Sequence, residues 1–332
     1  MNNSIFKFIA FTDLHYTTKN PEKRIDNYSE SLFLKLNEIY ELAIKYEING
    51  ILFAGDLFHR KGDIVTHEEV NDVIKIFSKW NSSNINIYLI AGNHDLVGHN
   101  LNAINDNGIG TLIISGHVKL LNKEPIRFEF NNGKKLNLFG SSYSRNYDRN
   151  KENYIVDDKY KEDFNINLVH GILLPKGTFF GDYTLINEIV KNAANITICG
   201  HYHPGFEQVI MNNKYFLNPG SISRGVLNYD TTKRTPKILL IGVDKSYNVK
   251  IKEVELKTAK LCDEIFDIEF VNKQNKYDEE IKSFTEMIKN ETQSMDNNDV
   301  NIILDDMLKN NIIERNIYDK SIEILEKVGV FK

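Results

Sequence analysis

Short apolar runs, each ending in polar side chains, recur along the first 200 residues and constrain the fold more than any other feature of the chain. Runs of this length and composition predict β-strands, at 5–11, 51–54, 85–90, 135–139, 166–169 and 196–199. Apolar stripes at helical spacing lie between them, at 26–48, 66–80 and 182–191. Consecutive strands follow, at 206–210, 214–217, 237–243 and 249–256. Helices between strands, followed by a run of strands, predict an α/β sandwich of two mixed sheets rather than one parallel sheet.

Five of the predicted strands end in side chains that can bind a metal ion. Loops at the carboxyl ends of strands in an open α/β sheet gather around one crevice, so we expect these side chains to meet. Carboxylate, imidazole and amide oxygen together suit divalent ions such as Mn²⁺, Zn²⁺ or Fe²⁺. The residues are Asp13, His15, Asp56, His59, Asn93, His94, Asp95, His170, His201 and His203.

The simplest interpretation of any one of these residues is turn chemistry or a core histidine. Asp and Asn after a strand commonly hydrogen-bond the backbone of the turn that follows. Six of the nine histidines, however, fall within these five segments. Gly55, Gly92 and Gly200 precede three of the clusters, where the backbone must turn sharply. This concentration favours a metal-dependent active site over isolated turns.

The composition is that of an ordinary globular protein, with 41% hydrophobic and 26% charged residues in a chain of 332. No apolar run is long enough to cross a membrane and the N-terminal residues do not resemble a signal peptide. Two cysteines make no disulfide framework, so we expect a cytoplasmic protein. The net charge of −5 is uneven: residues 261–332 hold 17 acidic and nine basic side chains, and the remainder is weakly basic.

The motifs D-x-H, G-D, G-N-H-D, H-G and G-H-x-H, in this order, resemble the calcineurin-like metallophosphoesterase superfamily over about residues 5 to 256. Asn218-Pro219-Gly220-Ser221 fits the same pattern. The resemblance implies a four-layer α/β/β/α sandwich with a short α-rich C-terminal extension. It implies two divalent metal ions, with Mn²⁺ expected. One would be held by Asp13, His15, Asp56 and His203, and the other by Asp56, Asn93, His170 and His201. His94 would contact the scissile phosphate and protonate the leaving group, and Asp95 would orient the His94 ring.

The choice of phosphoester depends on the residues that follow Asp56. His59 resembles one branch of the SbcD-type DNA repair nucleases and their phage relatives, in which a histidine at this position handles the DNA end. Arg60 resembles the phosphate-binding arginine of Ser/Thr protein phosphatases, although the flanking His59 and Lys61 depart from that pattern. We therefore expect a nuclease acting on the ends of duplex DNA. A protein phosphatase or a nucleotide phosphodiesterase is the alternative, and a catalytically dead scaffold is disfavoured because every expected ligand is present.

The residues after 258 suggest further modules and a partner. We expect a catalytic domain at 1–258, a reduced capping subdomain at 259–291, and a linker with a helical segment at 292–332. By the same resemblance, the helical segment would dock on an SbcC-type coiled-coil ATPase, although it could equally pack on its own core. The helices at 26–48 and 66–80 could form a homodimer face, although their apolar stripes are equally explained by packing on the sheet. The tail pattern predicts a strand at 263–271 and helices at 277–289, 300–309 and 319–328.

Overall fold

The computed structural model describes residues 4–59, 65–177, 182–226, 234–268, 304–305, 307–309, 315 and 318–322. Its strands are β1 Ile5–Phe11, β2 Gly50–Phe53, β3 Asn86–Leu89, β4 Lys119–Leu120, β5 Ile126–Glu129, β6 Lys135–Ser141, β7 Phe164–Gly171, β8 Leu173–Leu174, β9 Thr184–Leu185, β10 Ile196–His201, β11 Phe206–Met211, β12 Lys214–Asn218, β13 Lys237–Asp244 and β14 Val249–Glu255. Its α-helices are α1 Tyr28–Tyr46, α2 His67–Ser82, α3 Gly108–Ile114, α4 Ile186–Ile189 and α5 Cys262–Ile265. Short 3₁₀ helices lie at Val97–His99, Leu101–Asp106, Tyr147–Arg149, Lys151–Asn153 and Asp158–Tyr160.

Two six-stranded sheets form the centre of the fold. The first has the order β14-β13-β1-β2-β3-β4, in which β1 to β4 are parallel and β13 runs antiparallel to β1. The second has the order β11-β12-β10-β7-β6-β5, with β12, β10, β7 and β6 parallel. The α/β sandwich of two mixed sheets that the sequence predicts is therefore confirmed.

Strand β2 illustrates how the layers pack. Because side chains alternate across a strand, Ile51 and Phe53 face helices α1 and α2, whereas Leu52 and Ala54 face the second sheet. A third apolar cluster covers the outer face of the second sheet and includes Ile186 and Ile189 of α4. The sandwich thus has buried sheets in the middle, long helices on one outside face and short helices on the other.

The two long helices begin at capping residues that the sequence supplies. The Asn27 side chain accepts a hydrogen bond from the Glu30 amide at the start of α1. Thr66 and Glu69 form a reciprocal capping box at the start of α2, which satisfies two amides that the helix itself leaves unpaired. The predicted limits of 26–48 and 66–80 therefore differ from the observed ones by only two residues at each end or fewer.

Two sequence predictions of secondary structure need correction. The segment predicted as a helix at 182–191 begins as strand β9 and is helical only at Ile186–Ile189. The strand predicted at 263–271 is wrong at its start, where Cys262–Ile265 is a short helix. The Glu264 carboxylate accepts from the Leu261 amide at 2.6 Å and stabilises this helical turn, which the alternating apolar pattern did not reveal. Helix α3 and strands β4 and β5 are also additions that the sequence did not predict.

The chain divides into two compact units, Met1–Phe266 and Asp267–Lys332. The predicted boundary at 258 falls inside the first unit, and the division into catalytic, capping and docking segments stays a prediction. Most of the predicted capping segment, and most of the predicted docking segment, lie outside the described residues. Those described within 300–309 and 319–328 are helical. No helix within the described part of the chain has the length and apolar character needed to cross a membrane.

Candidate metal centre

All seven residues predicted to hold metal ions come together at the carboxyl ends of five parallel strands. Three of these strands, β1, β2 and β3, belong to the first sheet, and two, β7 and β10, belong to the second. The side chains form two groups in which possible ligand atoms lie within 4.8 Å of one another. We call Asp13, His15, Asp56 and His203 the first cluster, and Asp56, His170 and His201, with the adjacent Asn93, the second cluster.

The first cluster is centred on the facing Nε2 atoms of His15 and His203, which are 3.0 Å apart. His15 Nε2 lies 3.6 Å from Asp56 Oδ2, and His203 Nε2 lies 3.7 Å from Asp13 Oδ1. Asp13 and Asp56 are fully buried, whereas the His203 side chain is 44% exposed. Two carboxylates and two imidazoles thus converge on one space that opens to solvent at His203.

The second cluster is arranged around His170, which is fully buried. Its Nδ1 donates to the Ala54 carbonyl over 2.7 Å, because a carbonyl oxygen can only accept. Its Nε2 then lies 3.3 Å from Asp56 Oδ2 and 3.2 Å from Asn93 Oδ1. A hydrogen bond from the second ring nitrogen to a carbonyl is the usual way that proteins orient a metal-binding histidine.

Four of the candidate ligands have left-handed backbone conformations that side chains rarely adopt. Their φ angles are 54° at Asp13, 47° at His15, 57° at Asp56 and 75° at His201. Such conformations cost of order 1–3 kcal/mol each and occur preferentially at functional sites. The strain is held by backbone contacts between the loops, since the Asp13 amide donates to the Gly55 carbonyl and the His15 amide to the Asp56 carbonyl.

Further hydrogen bonds fix the carboxylates of the cluster. Asp13 accepts from the Thr12 hydroxyl over 2.8 Å and from the His201 amide over 3.2 Å. Asp56 Oδ1 accepts from the His94 amide over 2.8 Å. Gly92 is required for this approach, because a Cβ atom there would lie 2.1 Å from Asp56 Oδ1. Both carboxylates are therefore positioned in part by the backbone at the end of another strand or in the loop that follows it.

Burial and charged neighbours shift the pKa values of several candidate ligands in different directions. Burial raises the pKa of Asp56, but His170 and His15 outweigh burial and hold that pKa well below its usual range. Burial lowers the pKa of His15 well below its ordinary value and that of His201 to about 3. Burial also lowers the pKa of His170, but the Asp56 carboxylate dominates and raises it to about 9. The pocket thus keeps an ionised carboxylate among imidazoles and stabilises a cation beside it.

The donor set fits two divalent ions. Asp56 Oδ2 is buried, accepts no well-aligned hydrogen bond in the described structure, and faces imidazoles of both clusters. A buried carboxylate oxygen without a hydrogen-bond donor is costly unless a cation compensates it. Asp56 is also the one residue common to both groups of possible ligands. These observations fit a carboxylate that bridges two metal ions.

Of the three residues predicted as catalytic, His94 and His59 lie beside the first cluster. The centroid of the His94 ring is 4.6 Å from that of His15, and the His59 centroid is 5.8 Å from it. His94 Nδ1 lies 2.5 Å from the His59 carbonyl oxygen. His94 thus borders the cluster without belonging to either group of possible ligands.

The predicted role of Asp95, to orient the His94 ring, is wrong. The Asp95 carboxylate instead accepts from the backbone amides of Leu57, Phe58 and Gly92. It thereby ties the loop after β2 to the loop after β3, and the His59 carbonyl is the partner of the His94 ring. Asp95 is a positioning residue, because it acts on the loops that carry Asp56 and Asn93 rather than on the imidazole.

A family model for calcineurin-like phosphoesterases matches residues 6–205, which is more than half of the chain. The chain belongs to the calcineurin-like phosphoesterase family. The match includes all seven candidate ligands, together with His59, His94 and Asp95. This phosphoesterase is therefore a hydrolase of phosphoester bonds with a candidate binuclear metal site.

Three solved structures are similar to this chain at low sequence identity. The phosphoesterase YfkN from Bacillus subtilis is 14% identical, with a TM-score of 0.50, covering 77% of this chain and 92% of that one. A protein named as a 5′-nucleotidase from Staphylococcus aureus is 13% identical, with a TM-score of 0.47, covering 76% of this chain and 54% of that one. This chain thus spans about half of the nucleotidase's length. GAP50 of the Plasmodium inner membrane complex is 9% identical, with a TM-score of 0.47, covering 78% and 87%. No curated protein sequence matches the chain.

Several residues that shape the site were not found by sequence reasoning. The Thr12 hydroxyl and the Ala54 carbonyl contact ligands directly, and their positions next to D-x-H and G-D are a signal that could have revealed them. Tyr143 lies beside His170 and His201, but no motif marks it. Its position results from contacts between distant segments, which a local pattern does not show.

Proposed function

We propose that this phosphoesterase is a metal-dependent DNA nuclease that hydrolyses phosphodiester bonds. The observation that carries the proposal is the pair of imidazoles, His59 and His94, beside the first cluster. Hydrolysis of DNA releases a sugar alkoxide, which is a poor leaving group unless it receives a proton in the transition state. A histidine next to the metal ligands, but not itself a ligand, is suited to supply that proton.

His94 is the proton donor in this proposal. Its Nδ1 is held by the His59 carbonyl, so Nε2 is the ring atom left to exchange a proton with the substrate. The His94 amide also donates to Asp56 Oδ1, which fixes the backbone of His94 against the shared carboxylate. The His59 ring, 6.0 Å from that of His94, is placed to contact the DNA end.

The metal ions are the first part of the machinery that the proposal requires. The first and second clusters would hold them, with Mn²⁺ as our expected metal. When bound, they supply positive charge to the phosphate and Lewis acidity that activates a water molecule. The chain contributes the ligand positions, the bridging carboxylate of Asp56 and the acid His94.

The leaving group provides a direct test of this function. His94→Ala should lower the rate on duplex DNA by about 10²–10⁴-fold, the usual contribution of a general acid. The same change should cost far less on bis-p-nitrophenyl phosphate, because p-nitrophenolate departs without a proton. His67→Ala, on an exposed residue of α2, is the matched control and should behave as the wild type.

The alternative is a protein phosphatase or a nucleotide-directed enzyme of the same family. Arg60, which would mark a phosphatase, lies outside the described residues. Rates on end-labelled duplex DNA, a nucleoside monophosphate and a phosphopeptide discriminate among these functions. Faster hydrolysis of either monoester than of DNA, at equal metal loading, would contradict the nuclease proposal.

We also propose that the nuclease works with an SbcC-type coiled-coil ATPase that docks on residues 292–332. The support is the apolar spacing of that segment, together with its net negative charge, which disfavours direct contact with DNA. Co-purification of the full chain with such an ATPase, and ATP stimulation of duplex digestion, is the expected result. If the ATPase neither co-purifies with the chain nor stimulates duplex digestion, the proposed partner is contradicted, whereas the nuclease proposal is unaffected.

A further inference from the structure

An aromatic side chain outside the metal ligands lies against the second cluster. The ring centroid of Tyr143 is 5.6 Å from that of His201 and 6.2 Å from that of His170. Tyr143 is partly exposed, unlike the neighbouring Tyr147, which is buried. A substrate whose phosphate lies at the second cluster would therefore find this ring beside it.

Backbone hydrogen bonds and the Tyr147 ring fix the position of Tyr143. Its amide donates to the Ala91 carbonyl over 2.9 Å, and the Ala91 amide donates to the Ser142 hydroxyl over 3.0 Å. The Tyr143 ring is nearly parallel to that of Tyr147, with 8° between the planes and 6.1 Å between centroids. Ala91 lies two residues before Asn93, so the same strand end places both the ligand and the tyrosine.

His99 adds a second aromatic ring to this surface. Its centroid lies 5.2 Å from that of Tyr143, and its backbone has a strained φ of 59°. Its Nδ1 is buried without a hydrogen-bond partner among the described residues. The flanking Val97 and Leu101 are 44% and 40% exposed. A strained histidine with an unused polar atom, between exposed apolar side chains, is a combination that a folding role alone does not explain.

We propose that Tyr143 and His99 form a platform that binds the nucleoside attached to the scissile phosphate. The inference rests on the proposed function, and it specifies how a nucleotide unit is recognised. A base stacks on an aromatic side chain whatever its sequence, because every base has a π-face. Tyr143 supplies the stacking face, and the His99 ring, 5.2 Å from it between centroids, extends the aromatic surface beside it.

Two chromogenic diesters isolate this contact. Thymidine 5′-(p-nitrophenyl phosphate) and methyl p-nitrophenyl phosphate share the leaving group and differ in the nucleoside. Tyr143→Ala should raise KM for the thymidine ester by about 5- to 100-fold, the range expected for loss of one stacking contact. Its kcat should be unchanged, as should both constants on the methyl ester, because the lost interaction is uniform binding. Tyr143→Phe keeps the ring and should behave as the wild type.

A binding readout separates recognition from support of the metal ligands. Thymidine 5′-monophosphate should bind Tyr143→Ala more weakly by a similar factor in calorimetry, while bound metal stays at the wild-type content. Tyr143→Leu, which retains apolar volume without the ring, replaces the alanine variant if that one misfolds. His99→Gly, which tolerates the positive φ, should raise KM only for the thymidine ester, and by less.

The outcomes distinguish this inference from the nuclease proposal. Equal losses on both esters, or loss of metal in Tyr143→Ala, would make the tyrosine a support for the ligands and overturn the platform. A wild-type chain with no preference for the thymidine ester over the methyl ester would also overturn it. A chain that prefers the thymidine ester but fails to cleave duplex DNA would instead contradict the nuclease proposal and leave the platform standing.

Discussion

The two metal clusters share Asp56 but differ in how the protein holds their other ligands. In the second cluster, His170 is fully buried and its Nδ1 is bonded to the backbone of β2 through Ala54. In the first, His203 is 44% exposed, and His15 Nδ1 is buried without a hydrogen-bond partner in the described structure. The second cluster is therefore set by the strands themselves, whereas the arrangement of the first would depend more on a bound ion.

The support behind the first cluster is a loop rather than a strand. The Ile222 amide donates to the Thr12 carbonyl, and the Ser223 amide donates to the Asp13 carbonyl. The buried Lys35 supports this loop, since its Nζ donates to the Ile222 carbonyl over 3.2 Å. Because these loop contacts are indirect and long, as in the 3.4 Å hydrogen bond from the Ser223 amide to the Asp13 carbonyl, we expect the first cluster to bind its ion less tightly and to exchange it faster.

The largest effect is expected from the ligand that both clusters share. Asp56→Asn removes the charge that offsets both ions, and we expect kcat/KM on a phosphodiester to fall by more than about 10³-fold, beyond the cost of losing one electrostatic donor. Asp106→Asn, at the exposed last residue of the 3₁₀ helix Leu101–Asp106, is the control with the same chemical change. Turnover near the wild-type rate in the Asp56 variant would contradict the assignment of Asp56 as the ligand that both clusters share.

The next effect separates the two clusters. His203→Ala should leave one tightly bound ion per chain, whereas His170→Ala should leave one weakly bound ion. His170→Ala should also cost about 1–3 kcal/mol of stability, because the buried Ala54 carbonyl loses its 2.7 Å donor and keeps only the 3.3 Å contact with the Thr12 hydroxyl. Metal content by mass spectrometry after dialysis, with denaturant unfolding, measures both quantities. Identical metal retention in the two variants would show that the clusters are equivalent.

The pH dependence of folding stability should reflect Lys35, the buried lysine that supports the loop behind the first cluster. Burial, with Arg224 and Arg24 nearby, lowers the pKa of Lys35 from 10.5 to about 7. Between these two values the unfolded chain binds more protons at this residue than the folded chain, so folding stability should rise with pH from about 7 to about 10. Lys35→Met should flatten that rise. Urea unfolding at several pH values tests this, and parallel pH profiles for variant and wild type would contradict it.

The smallest effect concerns the hydroxyl that orients Asp13. Thr12→Val keeps the side-chain shape but removes the hydrogen bond to Asp13 Oδ2. We expect the affinity of the first cluster for Mn²⁺ to fall by about 10-fold, the lower end of the effect of losing a contact that orients a metal ligand. The second cluster should be affected less, because the same hydroxyl contacts the Ala54 carbonyl over a longer 3.3 Å. Equal weakening at both clusters would mean that the two are coupled through more than Asp56.

The ligand set could be predicted because its signal is local. Each candidate ligand lies at the end of a strand or within a few residues after it, as in Gly92-Asn93-His94-Asp95. The carboxyl ends of parallel strands lie along one edge of a sheet, so side chains there are brought together. The role of Asp95 could not be predicted, because adjacency to His94 does not show that its carboxylate turns back to the Leu57 amide. Lys35 was equally hidden, since its burial within α1 results from the arrangement of Arg24, Arg224 and Ile222 around it.

The fold shows the same division. Apolar residues repeated over many positions predicted α1, α2 and the central strands close to their observed limits. The alternating pattern at 263–271 predicted a strand, but its first residues form a short helix. That short segment is helical at Cys262–Ile265 because Glu264 binds the Leu261 amide. Short elements depend on such single contacts, and periodicity over a few residues does not distinguish a strand from a helical turn.

Calorimetric titration of metal-free protein with Mn²⁺ tests the central claim most directly. The structure predicts two ions per chain that bind in separate steps, with the second cluster filled first. In the His170→Ala variant the tight step should disappear and the weak step should remain. A single ion per chain, or two ions of equal affinity in the wild type, would contradict a binuclear site whose halves are held differently.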